Sequence, residues 1–201
     1  MAVYLNVLNI ILLIISMIFA LVGLAAIDAQ RVGWSRNEIG GNTINYGLVG
    51  LESTETGLVS LNVNYDDSTC TAALPNSDAC DRCEQSGDAI IAFLVFGLAA
   101  NIIALYHNGA KAGSQQGLSP TPYIFVLIAV TIFYFLCWTV WQRCHEALQD
   151  NFDDVELHTG FALLFISFIL MPVVVIISYF NGEYSPSLSL VGHFFQHALS
   201  A

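Results

Sequence analysis

Positive charge is scarce in this chain. Five of its 201 residues are Lys or Arg, against sixteen Asp or Glu, a formal net charge of −11. Nucleic-acid phosphates need a basic surface, so nucleic acid is not an expected partner. The cations Arg31, Arg36, Arg82, Lys111 and Arg143 are spread along the chain, which argues against a polybasic segment gripping anionic lipid. Charge of either sign is low, 10% of residues where a soluble domain carries about 25%. No Asn-x-Ser/Thr sequon occurs, so N-glycosylation is not expected. There is no nucleotide-binding loop, no hydrolase elbow, no EF-hand spacing and no carboxylate pair inside an apolar run. The expectation is a non-enzymatic protein without cofactor or resident metal. The acids Asp150, Asp153, Asp154 and Glu156 read as a solvated face, and only His193 and His197 approach metal-ligand spacing.

What fills the chain is apolar residue, 56% of the total, gathered in four runs at about 3–27, 89–106, 123–141 and 159–180. Each is long enough to cross a hydrocarbon core about 30 Å thick. The expected fold is therefore all-α and membrane-embedded: a single four-helix bundle, with the lipid bilayer as its first partner. The first run has no basic segment before it and exceeds the usual 7–15 residues of a signal peptide, so it is expected to persist as a helix. The loop at 28–88 sums to −7, the loop at 142–158 to −4, and the short linker between the middle runs to +1. The positive-inside tendency then puts both termini in the cytoplasm and both acidic loops outside, with the plasma membrane as the expected site.

Small residues share faces inside the runs. Ser16, Ala20 and Gly23 do so in the first, and Gly97, Ala100 and Ala104 in the second, with Asn101 beside them. Such faces let membrane helices approach closely, and an amide in a span needs a partner on another helix. Pro172 interrupts the hydrogen bonding of the fourth run. Residues 185–201 have helix-like apolar spacing suited to lying in the interface.

The 28–88 loop is patterned as a small antiparallel sheet. Thr43–Leu51 reads as one strand, with Ile44, Tyr46 and Leu48 on a face. Glu52–Gly57 reads as a turn. Leu58–Tyr65 reads as a second strand, with Val59, Leu61, Val63 and Tyr65 opposite Ser60, Asn62 and Asn64. Trp34 stands near the loop's start, where an interfacial aromatic is expected. Four of the five cysteines, Cys70, Cys80, Cys83 and Cys144, lie in the two acidic loops, which an even number of crossings puts on one side. Cys70 and Cys80 suit a local bridge, which leaves Cys83 for Cys144. Four cysteines allow three pairings, and the sequence does not choose among them.

Two resemblances follow from these residues. Cys80-Asp81-Arg82-Cys83 before a membrane helix resembles the layout of DsbB-type disulfide oxidases, which would imply quinone-linked thiol oxidation, although only Cys144 serves the second outer loop. More of the chain resembles the claudin and peripheral-myelin-protein superfamily: four spans, strands in a long first loop, Trp34, Gly47-Leu48-Val49 and the pair Cys70 and Cys80. Val49 stands where that family has a second Trp. The trypanosomatid amastins are similar through Val22-Gly23, Ile27-Asp28 and Arg31. This resemblance implies a cell-surface scaffold that assembles laterally into a homo-oligomer, or meets other membrane proteins, through Trp34, Tyr46, Leu48, Val59, Leu61 and Val63. The runner-up expectation is an accessory subunit of a photosynthetic, respiratory or channel complex, with the small-residue faces meeting other subunits.

Overall fold

A computed structural model describes residues 2–25, 33–39, 41–54, 60–66, 69–70, 74, 77–113, 120–152 and 154–178. The elements run α1 (Ala2–Ala25), β1 (Ser35–Ile39), β2 (Asn42–Tyr46), β3 (Gly50–Thr54), β4 (Ser60–Asn64), α2 (Ser77–Ala112), α3 (Pro120–Gln149), β5 (Glu156–Leu157) and α4 (Thr159–Ser178). All four helices are long and apolar enough to cross a membrane. They pack in a ring: α2 against α3, α1 against α4, α1 against α2, and α3 against α4.

One periodicity builds this bundle. The buried positions of α1 are Asn6, Asn9, Leu13, Ser16, Ala20 and Gly23; those of α4 include Gly160, Leu164, Ser167, Met171, Val174 and Ser178. The spacing alternates three and four, a repeat of about 3.5 that keeps one seam facing its neighbours. The same alternation runs through Cys80, Cys83, Gly87, Ile90, Leu94, Gly97, Asn101 and Ala104 in α2. It also runs through Tyr123, Leu127, Val130, Tyr134, Cys137, Trp141, Cys144 and Leu148 in α3. Large apolar side chains such as Val95, Phe96, Ile102, Phe125 and Ile176 point outward and are exposed. Amides and hydroxyls inside with isoleucines and phenylalanines outside invert the soluble pattern, and lipid is the solvent that suits it.

The small residues hold the positions closest to neighbouring helices. A Cβ on Gly97 would lie 2.8 Å from Tyr134 Cε1. Asn101 Nδ2 donates to Tyr134 Oη at 3.3 Å, so its partner is on α3. Ala100 is only partly buried, at the flank of the seam. Ser167 Oγ donates to the Ser16 carbonyl at 3.1 Å, binding α4 to α1. At the far end from the sheet, Asn9 Nδ2 donates to Ser178 Oγ at 2.9 Å and Asn108 Nδ2 to Tyr123 Oη at 2.7 Å. Pro172 lies within α4 with its ring exposed. Residues 185–201, with His193 and His197, lie outside the described residues.

α2 and α3 exceed their apolar runs. With 36 and 30 residues they are about 54 and 45 Å long, so both stand clear of a hydrocarbon layer about 30 Å thick. α2 starts at Ser77, not at the apolar boundary near Ala89, with Asp78 in its first turn, where a carboxylate complements the helix dipole. α3 continues through Gln142 to Gln149, which the sequence reading assigned to a loop. Pro120 and Pro122 sit in the first turn of α3, where a missing N–H costs nothing. α1 and α4 are shorter, and the sheet rests over their ends.

The sheet has five strands in the order β4-β3-β2-β1-β5, every pairing antiparallel. The segment expected as one strand from Thr43 to Leu51 breaks after Tyr46; β3 begins at Gly50, within that segment, and runs on through Glu52–Thr54, expected as part of a turn. Gly47 N–H donates to the Gly50 carbonyl at 2.8 Å, closing the tight bend between them. β1 and β5 escaped the sequence reading. β1 is Ser-Arg-Asn-Glu-Ile, with no apolar alternation, and pairing holds it: Ile39 opposes Asn42, so the connection is Gly40-Gly41, with Gly41 at φ 88°.

The bend at Leu48 lands on α2. A Cβ on Gly87 would overlap the Leu48 carbonyl oxygen. Only a glycine lets the sheet backbone reach the helix there. Gly87→Ala is expected to push sheet and helix apart and cost about 2 kcal/mol, typical of overpacking. A lowered Tm in detergent would register it; an unchanged Tm would refute the close approach.

Candidate functional site

The site is the sheet and its mounting on the helix ends. Trp34 fixes it. Its ring is fully buried, 5.3 Å from the Trp141 ring on α3 and 6.5 Å from the Phe161 ring on α4. Its indole N–H donates to the Gly23 carbonyl at the end of α1, 3.0 Å away. Its backbone N–H donates to the Tyr46 carbonyl at 2.7 Å, and its carbonyl accepts from His158 N–H at 2.9 Å. Gly160 N–H donates to the Gly33 carbonyl at 3.0 Å, and a Cβ on Gly160 would lie 3.0 Å from Trp34 Cδ1. One tryptophan thus joins β1, α1, α3 and α4.

A polar relay lies beside it. Trp141 Nε1–H donates to Ser35 Oγ at 3.0 Å, and Ser35 Oγ lies 3.1 Å from His145 Nδ1. All three side chains are buried, so each hydrogen bond offsets a desolvation cost.

Two disulfides complete the mounting. Cys70 bonds Cys80, and Cys83 bonds Cys144. This is one of the three pairings open to the four cysteines. Cys80 and Cys83 stand one turn apart on α2 and face inward, but each is bonded elsewhere, so the C-x-x-C does not close on itself. Cys70–Cys80 ties the segment after the sheet to α2, and Cys83–Cys144 ties α2 to α3. Cys137 is a buried free thiol.

The sheet has two faces. Tyr46, Leu51 and Val63 lie on cross-strand neighbouring positions and are buried. Tyr65 Oη donates to the Gly47 carbonyl at 3.1 Å. Burial raises the Tyr46 and Tyr65 phenols well above their ordinary pKa, which keeps both neutral. The other face carries Arg36, Asn45 and Glu52, where Arg36 pairs with Glu38. Here Asn45 and Glu52 are buried as well. His158 stands near Arg36 and Glu156, and its pKa is lowered, first by desolvation and then by Arg36.

Trp34, Tyr46, Leu48 and Val63, expected as contact residues, are thus nearly inaccessible, at 0, 0, 1 and 4% exposure. They belong to the core that joins sheet to bundle. Leu61 belongs to β4, and its side chain lies outside the described residues, as does Val59 entirely. Val49 and Asn64 are exposed residues of the sheet end. Gly87, Gly160, Trp141, Ser35 and His145 were not singled out from the sequence. Only the 3,4 spacing of Trp141 with Cys137 and Cys144 could have pointed to one of them.

The edge matters because β4 ends the sheet. Tyr65 N–H donates inward to the Val49 carbonyl at 3.0 Å. Antiparallel alternation then turns the N–H and C=O groups of Ser60, Asn62 and Asn64 away from β3. Among the described residues no strand lies beyond them. β4 carries no charge and no proline, the usual protections of an edge.

These features define a four-helix membrane protein capped by a disulfide-fastened antiparallel sheet. Compared with models of known protein families and with curated protein sequences, the chain matches none.

Alkylation of denatured, unreduced protein is expected to label one thiol, Cys137, and reduction to release all five; intact mass reads both. Three labelled thiols would mean that one bridge is missing. Cys144→Ser is expected to lower stability by about 2–4 kcal/mol, visible as a lower Tm in detergent.

Proposed function

We propose that this is a non-enzymatic membrane scaffold that assembles laterally through its sheet, in the manner of the claudin-like proteins it resembles. The observation that carries the reading is the outer edge of β4, beyond which no strand lies among the described residues, on a sheet fastened by Trp34 and two disulfides. An uncovered edge leaves backbone donors and acceptors free for another strand, and β-strand addition uses them. A second copy of the chain supplies an identical edge, so an antiparallel β4–β4 pair across a two-fold axis satisfies both. The mounting supports this role, because a sheet fixed to the bundle loses little freedom on pairing.

The cysteine chemistry favours a structural role over quinone-linked oxidation. Cys80 and Cys83 serve different bridges, so neither offers a thiol to a partner disulfide. The acidic loops and the cysteine bridges fit the sheet end facing the outside of a cell, with both termini in the cytoplasm, at the plasma membrane. An accessory subunit of a larger complex is the other reading that a lipid-facing surface of this kind serves.

Native mass spectrometry in mild detergent separates the readings. The scaffold gives repeating copies of the chain; a fixed set of other chains supports the accessory subunit, and a monomer alone sinks self-assembly. Asn62→Pro removes one outward N–H without touching the ladder to β3, a position where edge strands accept proline. The variant is expected to keep its thiol count and Tm and to lose self-association about tenfold or more, one hydrogen bond per copy being lost twice across the pair.

A further inference from the structure

Cations are rare here, yet two of the five occupy one groove. It lies on the outer side of α2 and α3 where these helices leave the apolar layer, with a volume of about 520 Å³. Arg82, Arg143, Ser86 and Glu146 line its upper part, and Phe93 and Val140 its lower part. Arg82 and Arg143 each adjoin a cysteine of the Cys83–Cys144 bridge, which holds the two backbones together beneath them. Both guanidinium groups are exposed, and among the described residues neither forms an ion pair; the pair recorded there is Arg36–Glu38. The Ser86 side chain is buried at the same level.

Below the groove the surface stays apolar and aromatic. Phe93 stacks on Phe133 at 6.3 Å, and Phe96, one turn deeper and 59% exposed, stacks on Phe133 at 5.8 Å. The groove therefore changes from cationic to apolar along the direction in which the helices enter the membrane. Two arginines against one Glu146 carboxylate leave one net positive charge. An occupant that complements both halves has a single negative charge on an apolar tail.

We propose that this groove binds an anionic amphiphile, its monoanionic head between Arg82 and Arg143 and its acyl tail along Phe93, Phe96 and Phe133. Planar guanidinium groups suit both phosphodiester and carboxylate oxygens. The recognition is local: it needs no polybasic segment, which this chain lacks.

The test is lipid retention by the full-length chain in mild detergent, read by native mass spectrometry and by titration. The probes are phosphatidylglycerol, oleate, phosphatidylcholine and inorganic phosphate. The anionic amphiphiles are expected to bind in preference to phosphatidylcholine, and inorganic phosphate not to displace them. Retention of phosphatidylglycerol without oleate assigns a phosphodiester head, and oleate without phosphatidylglycerol assigns a carboxylate. The double variant Arg82→Gln/Arg143→Gln should bind about 30-fold more weakly, the effect of removing two cations near a membrane surface. Arg36→Gln, outside the groove, should bind as before. Val140→Trp fills the groove floor while keeping both arginines and should also lose the amphiphile; it covers the case in which the double variant fails to fold, which the thiol count would reveal. Equal binding of phosphatidylcholine, full retention in either groove variant, or displacement by inorganic phosphate alone would overturn the proposal.

Discussion

The burial of Trp34 is the constraint on which the rest of the sheet end depends. Its indole needs an acceptor once it leaves water, and the end of α1 supplies one at Gly23. Its face needs apolar neighbours, and Trp141 and Phe161 supply them from α3 and α4. Its backbone bonds belong to the sheet and to the start of α4. No one of these elements can shift without uncovering a large ring or breaking a buried hydrogen bond. The sheet is consequently an extension of the bundle core and not a pendant domain.

The bundle beneath obeys a different economy from a soluble one. Lipid tails and leucines are equally apolar, so hydrophobicity gives the helices little reason to associate. Closeness and internal hydrogen bonds take over that task. Gly97 admits Tyr134, Asn101 bonds to it, and Ser167 reaches the backbone of α1 at Ser16. Where the bundle rises out of the lipid layer, disulfides and the Trp34 cluster replace these devices.

How much of this could be read from the residues varies with the signal each element carries. Four spans were legible because each is a long apolar run. The face of Ser16, Ala20 and Gly23 was legible because small residues are distinctive, and all three lie on the buried seam. The extensions of α2 and α3 were not, because in water their outer residues turn polar and apolarity stops marking the helix. Only the 3,4 phase continues, through Cys80, Cys83 and Gly87 and through Trp141, Cys144 and Leu148. β2 and β4 overlap the segments that alternation marked, whereas β1 and β5 are polar and exist by pairing. The site read least well: an alternating apolar face identifies what a strand buries, so Tyr46, Leu48 and Val63 are core, and a backbone edge has no side-chain signature.

Cys83 and Cys144 are sixty-one residues apart in sequence, a span that includes the membrane lengths of α2 and α3 and the segment that joins them. Both sulfurs sit at the sheet end, so the bond cannot close until α2 has crossed in one direction and α3 has returned. Once closed, it makes a covalent ring whose two sides pass through the bilayer. The bond is thus a chemical record of completed insertion: a chain with α3 left uncrossed keeps Cys83 and Cys144 apart as thiols on opposite sides of the membrane.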